Sequence, residues 1–193
     1  MDLGCFDETA FKLKSNSDYW LHKRIAAKAK QVIGVDNSSL IPEDGLAPFK
    51  NSIIIKQDVY DLLPIIKKYG KVDTIVAGEL IEHIPDVQLF LKNLKQIDSL
   101  KGVELIITTP NGCAVHNFII GMFGMESNHE DHLGNFSYKT LNTQCIKAGF
   151  FEWELTPYYS FFPEMRLKSK GLGKFSLVVF ENFVNVFESV FPL

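Results

Sequence analysis

Short runs of β-branched and aliphatic residues alternate along this chain with stretches whose apolar positions recur at helical spacing. Gln31 to Val35, Ile53 to Gln57, Val72 to Ala77 and Val103 to Thr108 are each nearly all apolar in the middle. Continuous rather than alternating apolarity belongs to strands covered on both faces, so these runs predict a buried, parallel sheet. Between them, Ser17 is placed to cap a helix over Asp18 to Lys30, with Trp20, Leu21, Ile25, Ala26 and Ala29 as its apolar stripe. Pro85 or Asp86 opens a second helix that turns Val87, Phe90, Leu91, Leu94 and Ile97 inward, and Ser137 caps a third that ends near Gly149. The aromatic-rich segment Phe151 to Phe162 reads as a further strand. This alternation predicts an α/β fold, a Rossmann-like, doubly wound, mostly parallel sheet with helices on both faces.

Composition narrows the picture without changing it. The 193 residues, 46% apolar and 22% charged, fit one globular domain, and a chain of this length buries roughly 70% of its unfolded surface. No repeat, low-complexity tract or linker divides it. A net charge of −3 supplies no general attraction for phosphate backbones, so nucleic acid is not an expected partner. Cys5, Cys113 and Cys145 are odd in number and widely spaced, which fits a reducing compartment better than a disulfide framework or a thiolate metal site. With no long uncharged apolar run and no signal-peptide pattern at Met1-Asp2-Leu3-Gly4-Cys5, the expected location is cytoplasmic.

In such sheets ligands bind beyond the carboxyl ends of the strands, where the strand order reverses. Three of those positions carry an acid: Asp2, Asp36 after Val32-Ile33-Gly34-Val35, and Asp58 after Ile53 to Gln57. A carboxylate after the second strand is suited to accept hydrogen bonds from both hydroxyls of a ribose, and one after the third from an adenine amino group. Each acid alone reads as readily as a cap or a turn residue.

Asp2-Leu3-Gly4-Cys5, Val32-Ile33-Gly34-Val35-Asp36, the run from Asp73 through Glu79-Leu80-Ile81-Glu82-His83, Thr109-Pro110-Asn111 and Phe136-Ser137 through Ala148-Gly149-Phe150 together resemble successive landmarks of the class I S-adenosylmethionine-dependent methyltransferases. The resemblance covers residues 2 to about 150 and is nearest the branch holding ubiquinone-biosynthesis O-methyltransferases and small-molecule and sugar methyltransferases. It implies S-adenosylmethionine as cofactor. Asp2, Gly4 and Cys5 would form the turn against its methionine part, Asp36 and Asn37 would hold the ribose, Asp58 would lie by the adenine, and Gly78 and Glu79 would complete the site. Where that family commonly has Gly-Cys-Gly-x-Gly, this chain has Gly4-Cys5-Phe6-Asp7-Glu8. The two lost glycines allow a second expectation, a catalytically degenerate domain that serves as a nucleotide- or partner-binding module. A nicotinamide dehydrogenase is disfavoured, since Gly-x-Gly-x-x-Gly follows no strand.

On a helical turn Glu79, Glu82 and His83 would share one face, and Asn128-His129-Glu130-Asp131-His132 would supply His132 if the loop folds back over it. Certain ubiquinone-pathway and small-RNA methyltransferases look similar in this element and are metal-dependent. Carboxylate with imidazole suits Mg, Mn or Zn, and an ion there would lower the pKa of an acceptor hydroxyl. Glu82 and His83 also read as a cap and loop anchor without metal, in which case His83 or His132 is the candidate general base.

Residues 1–111 therefore form the expected cofactor core and residues 112–135 a lid over the acceptor, a small molecule or a glycan hydroxyl. Residues 164–193 form a C-terminal helical extension, with Arg166, Lys168, Lys170 and Lys174 leading into an apolar helix over Phe175 to Phe191. Its expected role is packing on the sheet edge or another subunit; membrane contact is the less favoured reading. Set against the family, the first strand is expected as a stub and the last strand is expected to be missing.

Overall fold

The structure, a computed structural model, describes residues 1–190 apart from Asp7, Thr9, Ala10, Asn16, Ser127 and Tyr159, and leaves out the side chains of Glu188 and Val190. Its strands are β1 (Asp2–Leu3), β2 (Val32–Asp36), β3 (Leu46–Phe49), β4 (Ser52–Lys56), β5 (Thr74–Gly78) and β6 (Glu104–Thr108). Its helices are α1 (Phe11–Lys14), α2 (Leu21–Ala26), α3 (Leu63–Tyr69), α4 (Val87–Gln96), α5 (Val115–Gly121), α6 (Tyr138–Ala148), α7 (Pro163–Lys168) and α8 (Gly171–Val190). The strands form one six-stranded sheet in the order β3-β4-β2-β1-β5-β6. Every pairing is parallel except the edge pair β3–β4. This is an α/β, Rossmann-like arrangement, as the alternation of apolar runs predicts.

Side chains alternate across a strand, and that alternation separates two cores. Ile33 and Val35 of β2, with Ile75 and Ala77 of β5, pack against Ile65 and Ile66 of α3 and Phe90, Leu91 and Leu94 of α4. Gly34, between Ile33 and Val35, faces the other way, where the space a side chain would take holds Cys5, Ile54 and His22. On that face Cys5, Phe6, Trp20, Ile41 and Ile54 form the second core. Each large aliphatic or aromatic side chain so buried contributes about 1.5–3 kcal/mol.

The capped helices form where their signals lie. Asp86 accepts from the amide of Leu89 at the start of α4, and Ser137 with Thr140 closes a capping box on α6, which ends on left-handed Gly149. The first helix is shorter than its stripe. Ser17 accepts from the amide of Tyr19 within a turn, and α2 begins only at Leu21.

Two expectations are corrected. Phe151 to Phe162 is not a strand in its described residues: amides of Ser160 and Phe162 donate to the side chains of Asn185 and Glu181 on α8 rather than to a neighbouring strand. The edge strand β3 was not among the expected strands, because Pro48 interrupts its pattern; Pro is tolerated at an edge. Phe191, the end of the expected C-terminal helix, lies outside the described residues. Among those residues no helix is long and apolar enough to cross a membrane.

Candidate functional site

Strand β1 has β2 on one side and β5 on the other, so its carboxyl end opens onto the point where the strand order reverses. Gly4 leaves β1 with φ +66°, and a Cβ there would meet Leu80 Cδ1 at 2.6 Å. The left-handed backbone therefore favours glycine, and a side chain there would also have to displace the Leu80 methyl. The following loop is sewn to the end of β2 through Asp36. Its Oδ2 accepts from the Phe6 amide and its Oδ1 from the Ser38 amide, each at 2.9 Å. The Ser38 hydroxyl in turn donates to the Glu8 carboxylate. Burial raises the Asp36 pKa, and the two amides oppose that rise. Phe6 turns away into the second core, stacked on Phe11 with ring centroids 4.3 Å apart.

The other expected cofactor residues divide by position. Asn37 is exposed beside Asp36, and Asp58 is exposed one residue beyond Gln57, whose amide donates to the Asp36 carbonyl. Asp58 Oδ1 also accepts from the amide of Tyr60, so the turn reading describes it too. Gly78 ends β5 under Leu21, whose Cδ2 lies 2.4 Å from where a Cβ would stand. Asp2 and Cys5 face inward. Asp2, 1% exposed, meets Nδ1 of the fully buried His22 at 2.8 Å, a pairing no sequence signal announced. Burial pushes the Cys5 thiol well up, and nearby Asp2 and Asp36 add to the shift.

Beyond β5 the chain turns sharply. Glu79 has φ +50°, the only positive value among described non-glycine residues, and its amide donates to the Thr108 carbonyl at the end of β6. A short 3₁₀ turn, Ile81–His83, follows. The expected single helical face for Glu79, Glu82 and His83 is thereby broken. Glu79 Oε1 accepts from the Tyr158 hydroxyl at 2.9 Å. Glu82 instead points inward at 1% exposure, with Oε2 accepting from Thr109 at 3.0 Å and Oε1 without a partner. Burial, reinforced by the Glu79 charge, pushes the Glu82 pKa up to about 7.

The loop after α5 folds back onto this turn. Amides of Leu133 and Gly134 both donate to the Glu82 carbonyl, at 2.7 and 3.1 Å. His132 is thereby set edge to face against His83, with ring centroids 4.8 Å apart. His83 Nδ1 lies 3.2 Å from the Asp131 carbonyl, while His132 Nδ1 is buried without a partner. Burial lowers the His132 pKa, helped by the neighbouring imidazoles. One ligand atom each from Glu82, His83 and His132 lies within 4.8 Å of the others. Three of the four expected metal ligands thus converge and Glu79 stands apart. Two buried polar atoms without partners, Glu82 Oε1 and His132 Nδ1, and a carboxylate-imidazole donor set make the cluster fit a divalent ion. Asp2, Cys5 and His22 meet the same spacing, but there Asp2 Oδ2 is already paired with His22 Nδ1.

His132 and Glu79 also line a cavity of about 390 Å³, walled by residues 109–112, 135–138, 155–158 and 160–162 together with Ala114, His116, Asn117, Asn128 and Leu141. Part of the expected lid is therefore a wall that carries α5. Asn111 lines the cavity and also accepts the Cys113 amide, so it is both a lining residue and a turn residue. Tyr158 and Thr109, which hold the two carboxylates, were not anticipated; Thr109 had the signal of standing directly after a strand. No protein-family model matches this chain, and comparison with curated proteins finds no match.

Proposed function

We propose that this protein is an S-adenosylmethionine-dependent methyltransferase that methylates a hydroxyl of a small molecule or glycan, with Mg or Mn as assisting ion. The observation that carries the proposal is the convergence of Glu82, His83 and His132 beside a cavity, beyond the carboxyl end of the same parallel sheet whose β2 ends at Asp36. The sheet order and its switch point at Gly4 support the cofactor half of the reading.

Glu82, His83 and His132 are the residues that would hold the ion, which when bound lowers the pKa of an acceptor hydroxyl. Their scaffold is preorganised: Thr109 fixes Glu82, the Asp131 carbonyl fixes His83, and the Glu82 carbonyl fixes the loop of His132. Without the ion, His83 or His132 is the candidate base for the hydroxyl proton, and burial, which lowers the His132 pKa, keeps that imidazole neutral at pH 7. The acceptor oxygen bonds to the methyl carbon as the carbon–sulfur bond breaks, and the positive charge on sulfur is discharged.

Calorimetric titration of S-adenosylhomocysteine into the protein, with and without Mn²⁺, tests the reading. Micromolar binding is the expected result; folded protein that gives no heat at several temperatures would sink it. One observation favours the degenerate reading instead: both Asp36 oxygens already accept backbone amides, the Phe6 amide among them. The same titration separates the two.

A further inference from the structure

Helix α8 is apolar on every side, and only one side is covered. Leu177, Val184 and Glu181, the last paired with Arg166, are buried where α8 meets α5 and α7. Leu172, Phe175, Val179, Phe183 and Val186 lie on the opposite side and are exposed. A helix that is apolar all round is one that is covered all round, and an exposed patch of this extent marks an interaction surface. Leu172, Phe175, Val179, Asn182, Val186 and Ser189 follow one another at alternating steps of three and four residues, the spacing of a seam between two packed helices.

Symmetry and charge say what covers that seam. The helix runs from Gly171 to Val190, and Val179 and Asn182 flank its midpoint. A two-fold axis there lays an antiparallel copy along all of its roughly 30 Å. Val179 then stands beside Asn182 of the partner subunit, Phe175 beside Val186 of the partner subunit and Leu172 beside Ser189 of the partner subunit. Lys168, Lys170 and Lys174 lie at the amino end, and from Phe175 onward the chain has no lysine or arginine, only Glu181 and Glu188. Antiparallel pairing sets these cations against the partner's carboxyl end, where the helix dipole is negative, whereas parallel pairing would crowd the lysines of both copies together. A lipid surface fits less well, because the cations flank one end of the apolar face and Asn182 lies within it. Two such faces bury on the order of 1,000 Å² in all, the area at which a specific interface begins.

We propose that α8 is the interface of a two-fold symmetric dimer, in which the outward faces of two antiparallel α8 helices cover one another. Sedimentation equilibrium of the full chain at micromolar concentration is expected to give twice the 21.9 kDa of one chain. Phe175 is exposed and belongs to neither core, so Phe175→Glu should leave the far-ultraviolet dichroism unchanged. It enters the interface twice and is expected to weaken association at least about a hundredfold. In a Cys113→Ser background, Phe175→Cys combined with Val186→Cys should oxidise to a covalent dimer that reductant reverses, and neither substitution alone should, because each position meets the other across the axis. A monomer at these concentrations, a dimer indifferent to Phe175→Glu, or a double cysteine variant that links no better than Phe175→Cys alone would each overturn the proposal. A monomer that co-sediments with phosphatidylglycerol vesicles would overturn it too, and would give the face to a lipid surface.

Discussion

His83 and His132, 49 positions apart in sequence, stand edge to face with 4.8 Å between ring centroids. Burial and the neighbouring imidazoles lower the His132 pKa, which favours its neutral state, the one in which imidazole ligates metal. With Glu82 the two histidines form a set whose metal affinity can be tested one ligand at a time. Loss of an outer-shell partner alone costs about 10–100-fold in metal affinity, so Glu82→Gln, His83→Ala or His132→Ala should each weaken Mn²⁺ binding at least tenfold. Glu79→Gln should change it by less than about threefold, since Glu79 is bonded to Tyr158 rather than to this set. Isothermal titration of the four variants measures all of it, and a Glu79 effect equal to the others would return that residue to the site.

Glu82 also sets a pH dependence in protein stripped of metal. Its carboxyl titrates near 7 when folded, against an ordinary value of 4.5. Between those values the folded state holds the extra proton, so stability falls as pH rises through the window and the loss is complete above it. At about 1.4 kcal/mol per pH unit the loss is at most about 3 kcal/mol. Urea midpoints in chelator across pH 5 to 8 should decline in the native chain, and the Glu82-dependent part of the decline should vanish in Glu82→Gln. A midpoint that rises instead would mean that the folded protein stabilises the carboxylate.

How much of this was legible beforehand depends on how locally each feature is encoded. The four central apolar runs gave β2, β4, β5 and β6 within two residues at either end, because a strand buried on both faces must be apolar throughout. Caps at Asp86 and Ser137 are local too. The course of the chain at Ser160 and Phe162 is not, since their amides are satisfied by Asn185 and Glu181 from far along the chain. At the candidate site, Glu82, His83 and His132 were recognisable as chelating types. The separation of Glu79 was not, because it follows from a left-handed turn and from a hydrogen bond with Tyr158. Asp2 was expected to face a ligand; its pairing with His22 depends on where α2 crosses the sheet.

That buried pair makes its own prediction. Asp2→Ala leaves the His22 Nδ1 without a partner at zero exposure, beside an Nε2 that already lacks one. Stripping one member from a buried, hydrogen-bonded pair costs about 3 kcal/mol. A double-mutant cycle with His22→Ala should return a coupling above about 1 kcal/mol. Additivity within error would mean that the two contribute independently.

Asp36 decides between an enzyme and a relic. Its carboxylate ties the loop after β1 to the loop after β2, so a substitution there acts on stability whether or not a ribose ever binds. Asp36→Asn keeps one acceptor oxygen and should cost about 1–3 kcal/mol, which for a chain of this size lowers Tm by roughly 2–10 °C. The informative quantity is the further shift produced by ligand. S-adenosylhomocysteine at about a hundred times its Kd should stabilise the native protein by about 2.7 kcal/mol, or roughly 5–10 °C. In Asp36→Asn that shift should shrink to within error at the same ligand concentration, because a ribose would lose half of the acceptor pair that holds it. A variant that loses Tm yet keeps the full ligand shift would place the ribose elsewhere, and a native protein with no shift at all would leave Asp36 as a loop anchor alone.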